Sequence, residues 1–288
     1  QASLVGSEMC IRDSMSGNAE ILVHPDGKRV FASRIEGTHK EGRYGSIAVF
    51  DPESLILKKE ILLKTTIGGK TLGGNGAKFM HIIPRRGDRP ELLMVANWHS
   101  HNISVIDLDR EIAIDHVSLK NNKRTDNYYN ISPRGMAYWP EEDLLIVGGY
   151  EDGSLYILNL ALYGTESGIS QIHQIPAFTP RTAEFPRNPG LKPRHLIRDS
   201  QSEFIYVAMQ RGDAIARINL DRLKVYLARV TPNREKNPTS VAADGTAAWK
   251  DILESWPASN KNFAYFLRTQ RYPADPVSYT HLRAHETC

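Results

Sequence analysis

One strand type recurs five times along the chain, and this repetition constrains the fold more than any other feature. The copies are Arg29-Val30-Phe31-Ala32-Ser33, Leu93-Met94-Val95-Ala96-Asn97, Leu145-Ile146-Val147-Gly148-Gly149, Ile205-Tyr206-Val207-Ala208-Met209 and Ala264-Tyr265-Phe266-Leu267-Arg268. Their successive spacings are 64, 52, 60 and 59 residues. A second strand follows the first four copies: Ile47–Asp51, Ile103–Asp107, Leu155–Asn159 and Ile215–Asn219. Each ends in Asp or Asn, which can bond its own backbone as the chain turns, so these residues read as turn-formers and not as ligands. Upstream of each copy lies a third strand: Ile21–His24, Phe79–Ile82, Gly135–Tyr138 and His195–Arg198. A fourth closes the unit, as in Leu57–Ile61 and Lys224–Ala228. Short β-rich runs with turn residues between them and no helical periodicity give four antiparallel strands per unit. Radial packing of such units makes a β-propeller, which limits exposed sheet edges. The expectation is an all-β chain with blades near 19–63, 77–120, 133–176 and 193–230, and part of a fifth at 238–275.

The two ends are set aside. Reading Ala2–Asp13 backwards in reverse-complement codons produces Val277–Cys288, compatible at every one of twelve codons. Two independent termini do not encode each other in this way. Residues 1–14 and 276–288 read as a translated sequencing adapter carried at both ends of one insert, and are excluded from fold reasoning. Both cysteines, Cys10 and Cys288, fall in these ends. The intervening 15–275 then offers no disulfide and no thiolate metal site, and no apolar run reaches the ~18 residues of a membrane span. Its net charge is about +4.

The tract Val95-Ala96-Asn97-Trp98-His99-Ser100-His101-Asn102-Ile103-Ser104-Val105-Ile106-Asp107 resembles the YVTN-repeat β-propeller signature. Pro193-Arg194-His195-Leu196 and Ser132-Pro133-Arg134-Gly135-Met136-Ala137 resemble that family's blade openings. The likeness covers residues 19 to 230 well and 238 to 275 poorly, departing around Ala247–Leu253, where an insertion and a reading-frame error are both open. It implies a ring of about seven blades, of which about four and a half stand here, and a periplasmic or extracellular setting. Some members of this repeat family are described as DNA-binding.

Charge is unevenly placed. In an antiparallel blade, the connection between blades and the loop from second to third strand lie at the same end. The inter-blade connections 64–78, 120–134, 177–194 and 231–238 carry a net charge of +10. Such a one-signed surface attracts anions from a distance. Lys78, Arg134 and Arg194 take the same position in three consecutive blades and are expected to form an arc around the channel mouth. Arg clamps a carboxylate or phosphate with two parallel bonds, while Lys supplies a point charge. The bland alternative makes them solvated ends and inter-blade salt-bridge partners. Asn97, Trp98 and His99 lie in a tight loop at this end, and His81 and His195 on innermost strands. His99 and His101 lack an evident third metal ligand. Trp98 could stack on a base or sugar, or simply pack. Gly68–Gly76 is glycine-rich but enters a strand, so it reads as a flexible connector and not a phosphate cradle.

No nucleophile motif or phosphate loop is present, and no cofactor is expected. The leading function is therefore a non-catalytic binding or scaffold propeller engaging an anionic small molecule or a polyanion such as DNA. The alternative is a lactonase-type hydrolase, because Pro193-Arg194-His195 also resembles blade starts of 6-phosphogluconolactonase-like propellers. There histidine or a carboxylate would act as base and arginine would hold the oxyanion. A purely protein-binding propeller is the third possibility.

Overall fold

The computed structural model describes residues 18–35, 44–119, 131–166, 168–175, 192–198, 203–210 and 214–236. They form four blade sheets built in chain order and one two-stranded sheet between the first two. Blade 1 holds β1 (Asn18–Val23), β2 (Val30–Arg34), β3 (Ser46–Phe50) and β4 (Leu57–Leu62). A hairpin of β5 (Lys64–Ile67) and β6 (Lys70–Gly73) leads to blade 2, which holds β7 (Ala77–Ile83), β8 (Leu92–Asn97), β9 (Asn102–Asp107) and β10 (Ile112–Ser118). Blade 3 holds β11 (Pro133–Trp139), β12 (Leu144–Gly149), β13 (Ser154–Asn159) and β14 (Ser170–Ile175). Blade 4 has three strands, β15 (Lys192–Arg198), β16 (Phe204–Gln210) and β17 (Ala214–Asn219), followed by helix α1 (Leu220–Lys236). Neighbouring strands pair antiparallel throughout, and the innermost strands β1, β7, β11 and β15 lie side by side in that order. This is the β-propeller architecture.

Period-two side-chain alternation makes each middle strand serve two interfaces. On β8, Leu93 and Val95 join Phe31, Ile47 and Val49 of blade 1, while Leu92 and Met94 join Leu145, Val147 and Tyr156 of blade 3. On β12, Leu144 and Ile146 meet Leu196, Ile205 and Val207 of blade 4. Each such side chain stabilises the stack by ~1.5–3 kcal/mol. Blade 4 uses one face only: Ile205, Val207 and Met209 are buried, whereas Tyr206, Ala208 and Gln210 are exposed.

The turn-formers behave as the sequence suggests in all four blades. Asp51 Oδ1 accepts from the Glu53 and Ser54 N–H groups, and Asp107 Oδ1 from those of Asp109 and Arg110. Asn159 and Asn219 accept from Ala161 and Arg222.

Two expectations are corrected. Lys224–Ala228 is not a fourth strand but lies inside α1. Asn219 caps that helix, and Leu220, Leu223, Tyr226 and Leu227 line one face, all buried on the blade 3–4 core. Arg234 and Lys236 consequently belong to a helix and not to a loop. The second correction concerns the glycine-rich connector. Gly68 and Gly69 have φ of 56° and 77°, and they form the two-residue turn of the β5–β6 hairpin. The strand copy Ala264–Arg268, the partial blade at 238–275 and both adapter-like ends lie outside the described residues.

Candidate functional site

The arc of cations is placed by an irregularity common to the blades. The β7–β8 pairing shifts register between Ala77 and Phe79, and Lys78 sits in the shift. Arg134 takes the corresponding place between Pro133 and Met136, and Arg194 between Pro193 and His195. A β-bulge leaves a residue out of the ladder and re-aims its side chain, so three strands each present a cation at the same end. Gly135 brings two of them close. A Cβ there would lie 2.6 Å from the Leu196 nitrogen and 2.8 Å from the Arg194 oxygen, so only glycine lets β11 and β15 approach this far.

Around Arg134 the side chains alternate between cation and aromatic ring. Lys78 Nζ stands 4.4 Å from the Trp98 ring centre, and the Arg134 guanidinium carbon 4.1 Å from the same ring. Arg134 also lies 3.8 Å from the Tyr150 ring, which has Lys192 Nζ on it at 4.7 Å. The two rings are 5.1 Å apart and tilted by 45°. Each cation–π contact is worth ~0.5–2 kcal/mol depending on desolvation. The Tyr150 hydroxyl donates to Gln210 Oε1 at 2.7 Å, which fixes its ring against blade 4.

The electrostatics show an excess of positive charge. Burial lowers the Lys78 pKa, with Arg134 and Arg194 adding to the effect. Arg134 is likewise lowered, first by burial, with Arg194 acting in the same sense and Tyr150 and Glu151 in the opposite one. His195 is lowered by burial and then by Arg194 and Arg134. Its ring meets Phe79 edge-on at 5.0 Å and 81°. Lys192 forms an ion pair with Glu151. Among the described residues, Lys78, Arg134 and Arg194 have neither an acid partner nor a hydrogen-bond acceptor for their side chains, and Arg134 Nε is buried without a partner.

Of the residues singled out in the sequence, Lys78, Trp98, Arg134, Arg194 and His195 therefore come together. The other three do not join them. Asn97 is fully buried, and its Nδ2 donates to Asn102 Oδ1 at 2.9 Å and Ser104 Oγ at 2.8 Å, so its amide braces blade 2. His99 is exposed and lies against Gly76. His81 sits deeper on β7, where burial pushes its pKa down to about 4. Lys120, Lys123, Arg124, Arg181 and Arg187 lie outside the described residues.

Sequence reasoning missed Tyr150, although the repeat carries the signal. Trp98 follows the last residue of β8 as Tyr150 follows the last residue of β12. It also missed Glu20 on β1, whose carboxylate accepts the Met80 N–H and whose pKa burial raises to about 7. Among the described residues no group of three or more His, Cys, Asp or Glu could hold a metal ion, and no helix is long and apolar enough to cross a membrane.

No family model and no curated protein matches the chain. Among solved structures, it is similar to hydrazine synthase of Kuenenia stuttgartiensis at 14% identity and a TM-score of 0.49, over 72% of this chain and 47% of that one. It is also similar to the periplasmic gluconolactonase PpgL of Pseudomonas aeruginosa at 17% identity and a TM-score of 0.48, over 69% and 52% respectively. The chain thus spans about half the length of these structures.

Proposed function

We propose that the bulge cations form an anion-binding mouth, and that the protein holds a small oxyanion there. The observation that carries this reading is the set of Lys78, Arg134 and Arg194, drawn from three blades and left without acid partners among the described residues. Three like charges, two of them partly buried, repel one another, and the arrangement is relieved when an anion enters. The aromatic rings are already engaged by the protein's own cations, which disfavours a ligand cation or a stacked base. Among the described residues, the unpaired cations stand at the innermost strands, which favours a small ligand over a nucleic-acid track. The YVTN-repeat resemblance of Val95–Asp107 supports a binding propeller. Sulfate titration of the full chain tests the reading. Binding in wild type, weakened ~10–100-fold in Arg134→Ala, is expected for the loss of one or two charge-assisted bonds. Equal affinity of the two proteins would remove it, and retention of a polyanion without sulfate binding would move it to a polymer.

A second reading, ring-ester hydrolysis of the lactonase kind, is favoured by His195. Its imidazole is held in the neutral, base-competent form beside two guanidinium groups suited to an oxyanion. Equal hydrolysis of a sugar lactone by wild type and His195→Ala would eliminate it.

A further inference from the structure

We infer that the mouth takes up its anion together with a proton, and that His195 is the group on which the proton lands. The inference rests on the anion-binding reading and adds a charge-switching residue to it. His195 directly follows the bulge at Arg194, so its side chain is exposed at the mouth. Its ring is located by the edge contact with Phe79 of blade 2, and neither ring nitrogen has a hydrogen-bond partner among the described residues. Both nitrogens can therefore serve a ligand.

The charged groups around it are almost all of one sign. Arg194 stands beside it on β15, Arg134 faces it from β11, and β7 contributes Lys78 and the neutral His81. From β16 it faces Ala208, with uncharged Gln210 beyond. Of the two acids described in the β12–β13 loop at the mouth, Glu151 is occupied by Lys192, and Asp152 accepts from the Ser154 N–H and the Tyr156 hydroxyl, with burial raising its pKa to about 6. Glu20 is held by the Met80 N–H on β1, the strand that flanks β7 away from β11.

In the free protein, partial desolvation and the two arginines favour the neutral imidazole. An oxyanion bound among those cations reverses the field at the ring. The neutral form loses its advantage, and the imidazolium becomes a hydrogen-bond donor to the anion. The sign is fixed by linkage. Below the free-protein pKa the proton is present before and after binding, and affinity is greatest. As pH rises through the higher bound-state pKa the proton is lost from the complex and affinity falls, tenfold for each unit by which binding raises the pKa.

The test is calorimetric titration of the full chain with sulfate, which stays a dianion throughout the range. It is run near pH 6.5 in two buffers of different ionisation enthalpy, and affinity is compared at about pH 5.5 and about pH 8. The expected result is net uptake of up to about one proton per sulfate, with affinity falling roughly three- to tenfold towards the higher pH. His195→Gln, exposed and so without consequence for folding, should bind more weakly, with no proton uptake and no pH dependence. Sulfate binding by wild type without proton uptake, or uptake that persists in His195→Gln, overturns the assignment while leaving the anion site intact. Absence of sulfate binding in wild type overturns the small-oxyanion site, and this inference with it.

Discussion

The two ends of the blades use the same residue types in opposite ways. At the end away from the mouth, every latch between blades pairs its arginine. Arg29 donates to the Leu108 carbonyl of the next blade and lies near Glu91 and Glu111. Arg89, one blade on, donates to the Leu160 carbonyl at 3.2 Å and to both oxygens of Asp143 at 2.8–2.9 Å. Arg198 reaches Glu141. At the mouth, Lys78 and Arg134 face aromatic rings instead, with Arg194 as a further like charge beside them. A charge satisfied inside the protein holds the fold together; a charge left without an acid partner is available to a ligand. The identity of the side chain therefore says less than the accounting of its partners.

Substitutions at the two ends should separate stability from binding. The largest effect on stability is expected for Arg89→Ala, because Asp143 is only 8% exposed and would keep only the Tyr138 hydroxyl and Arg86 at 3.7 Å. Breaking such a pair costs ~3–5 kcal/mol, to be seen in urea unfolding, with sulfate affinity unaltered among the molecules that remain folded. Arg134→Ala should do the reverse, losing most of the affinity while stability changes by ~1–2 kcal/mol from the lost ring contacts. If Arg134→Ala unfolds the protein as severely as Arg89→Ala, the two ends do not differ in the way described.

Smaller changes sharpen the contrast. Tyr150→Phe keeps the ring under Arg134 but removes the hydroxyl bond to Gln210, and should cost ~0.5–1.5 kcal/mol in stability with a minor effect on affinity. Arg85→Ala removes an ion pair with Asp109 at the far end in which both partners are well exposed, so less than about 1 kcal/mol is expected. A larger value there would mean that an exposed pair within one blade matters as much as the buried latches between blades.

Much of this was legible in the sequence, and the parts that were not share a cause. The strands and their Asp or Asn turns follow from local chemistry repeated in register. The position of Lys78, Arg134 and Arg194 follows from the same register, although the bulges that aim them do not. Blade 4 broke the pattern because the repeat suggested a strand where Asn219, Leu220, Leu223 and Leu227 specify a capped amphipathic helix. The loss has a structural counterpart. Blade 1 braces its outer strands with Arg34, Ser46 and Glu60, blade 2 with Asn97, Ser104 and His116, and blade 3 with Ser154, Tyr156 and Gln174. The matching positions of blade 4 include Met209 and Ala216, which offer a fourth strand no polar partner and instead join the apolar cluster with the helix. Asn97 was misplaced for a related reason. An Asn at the end of a strand reads as a surface residue until its partners across the sheet are known.

The central claim is that cations left unpaired at the mouth bind an oxyanion. The most direct measurement is a crystal structure of the protein grown with selenate, whose anomalous signal locates the anion without ambiguity. A peak within hydrogen-bonding distance of the Arg134 guanidinium, flanked by Lys78 or Arg194, is the result predicted. Selenate bound only at the paired arginines of the opposite end, with the mouth empty, would contradict it.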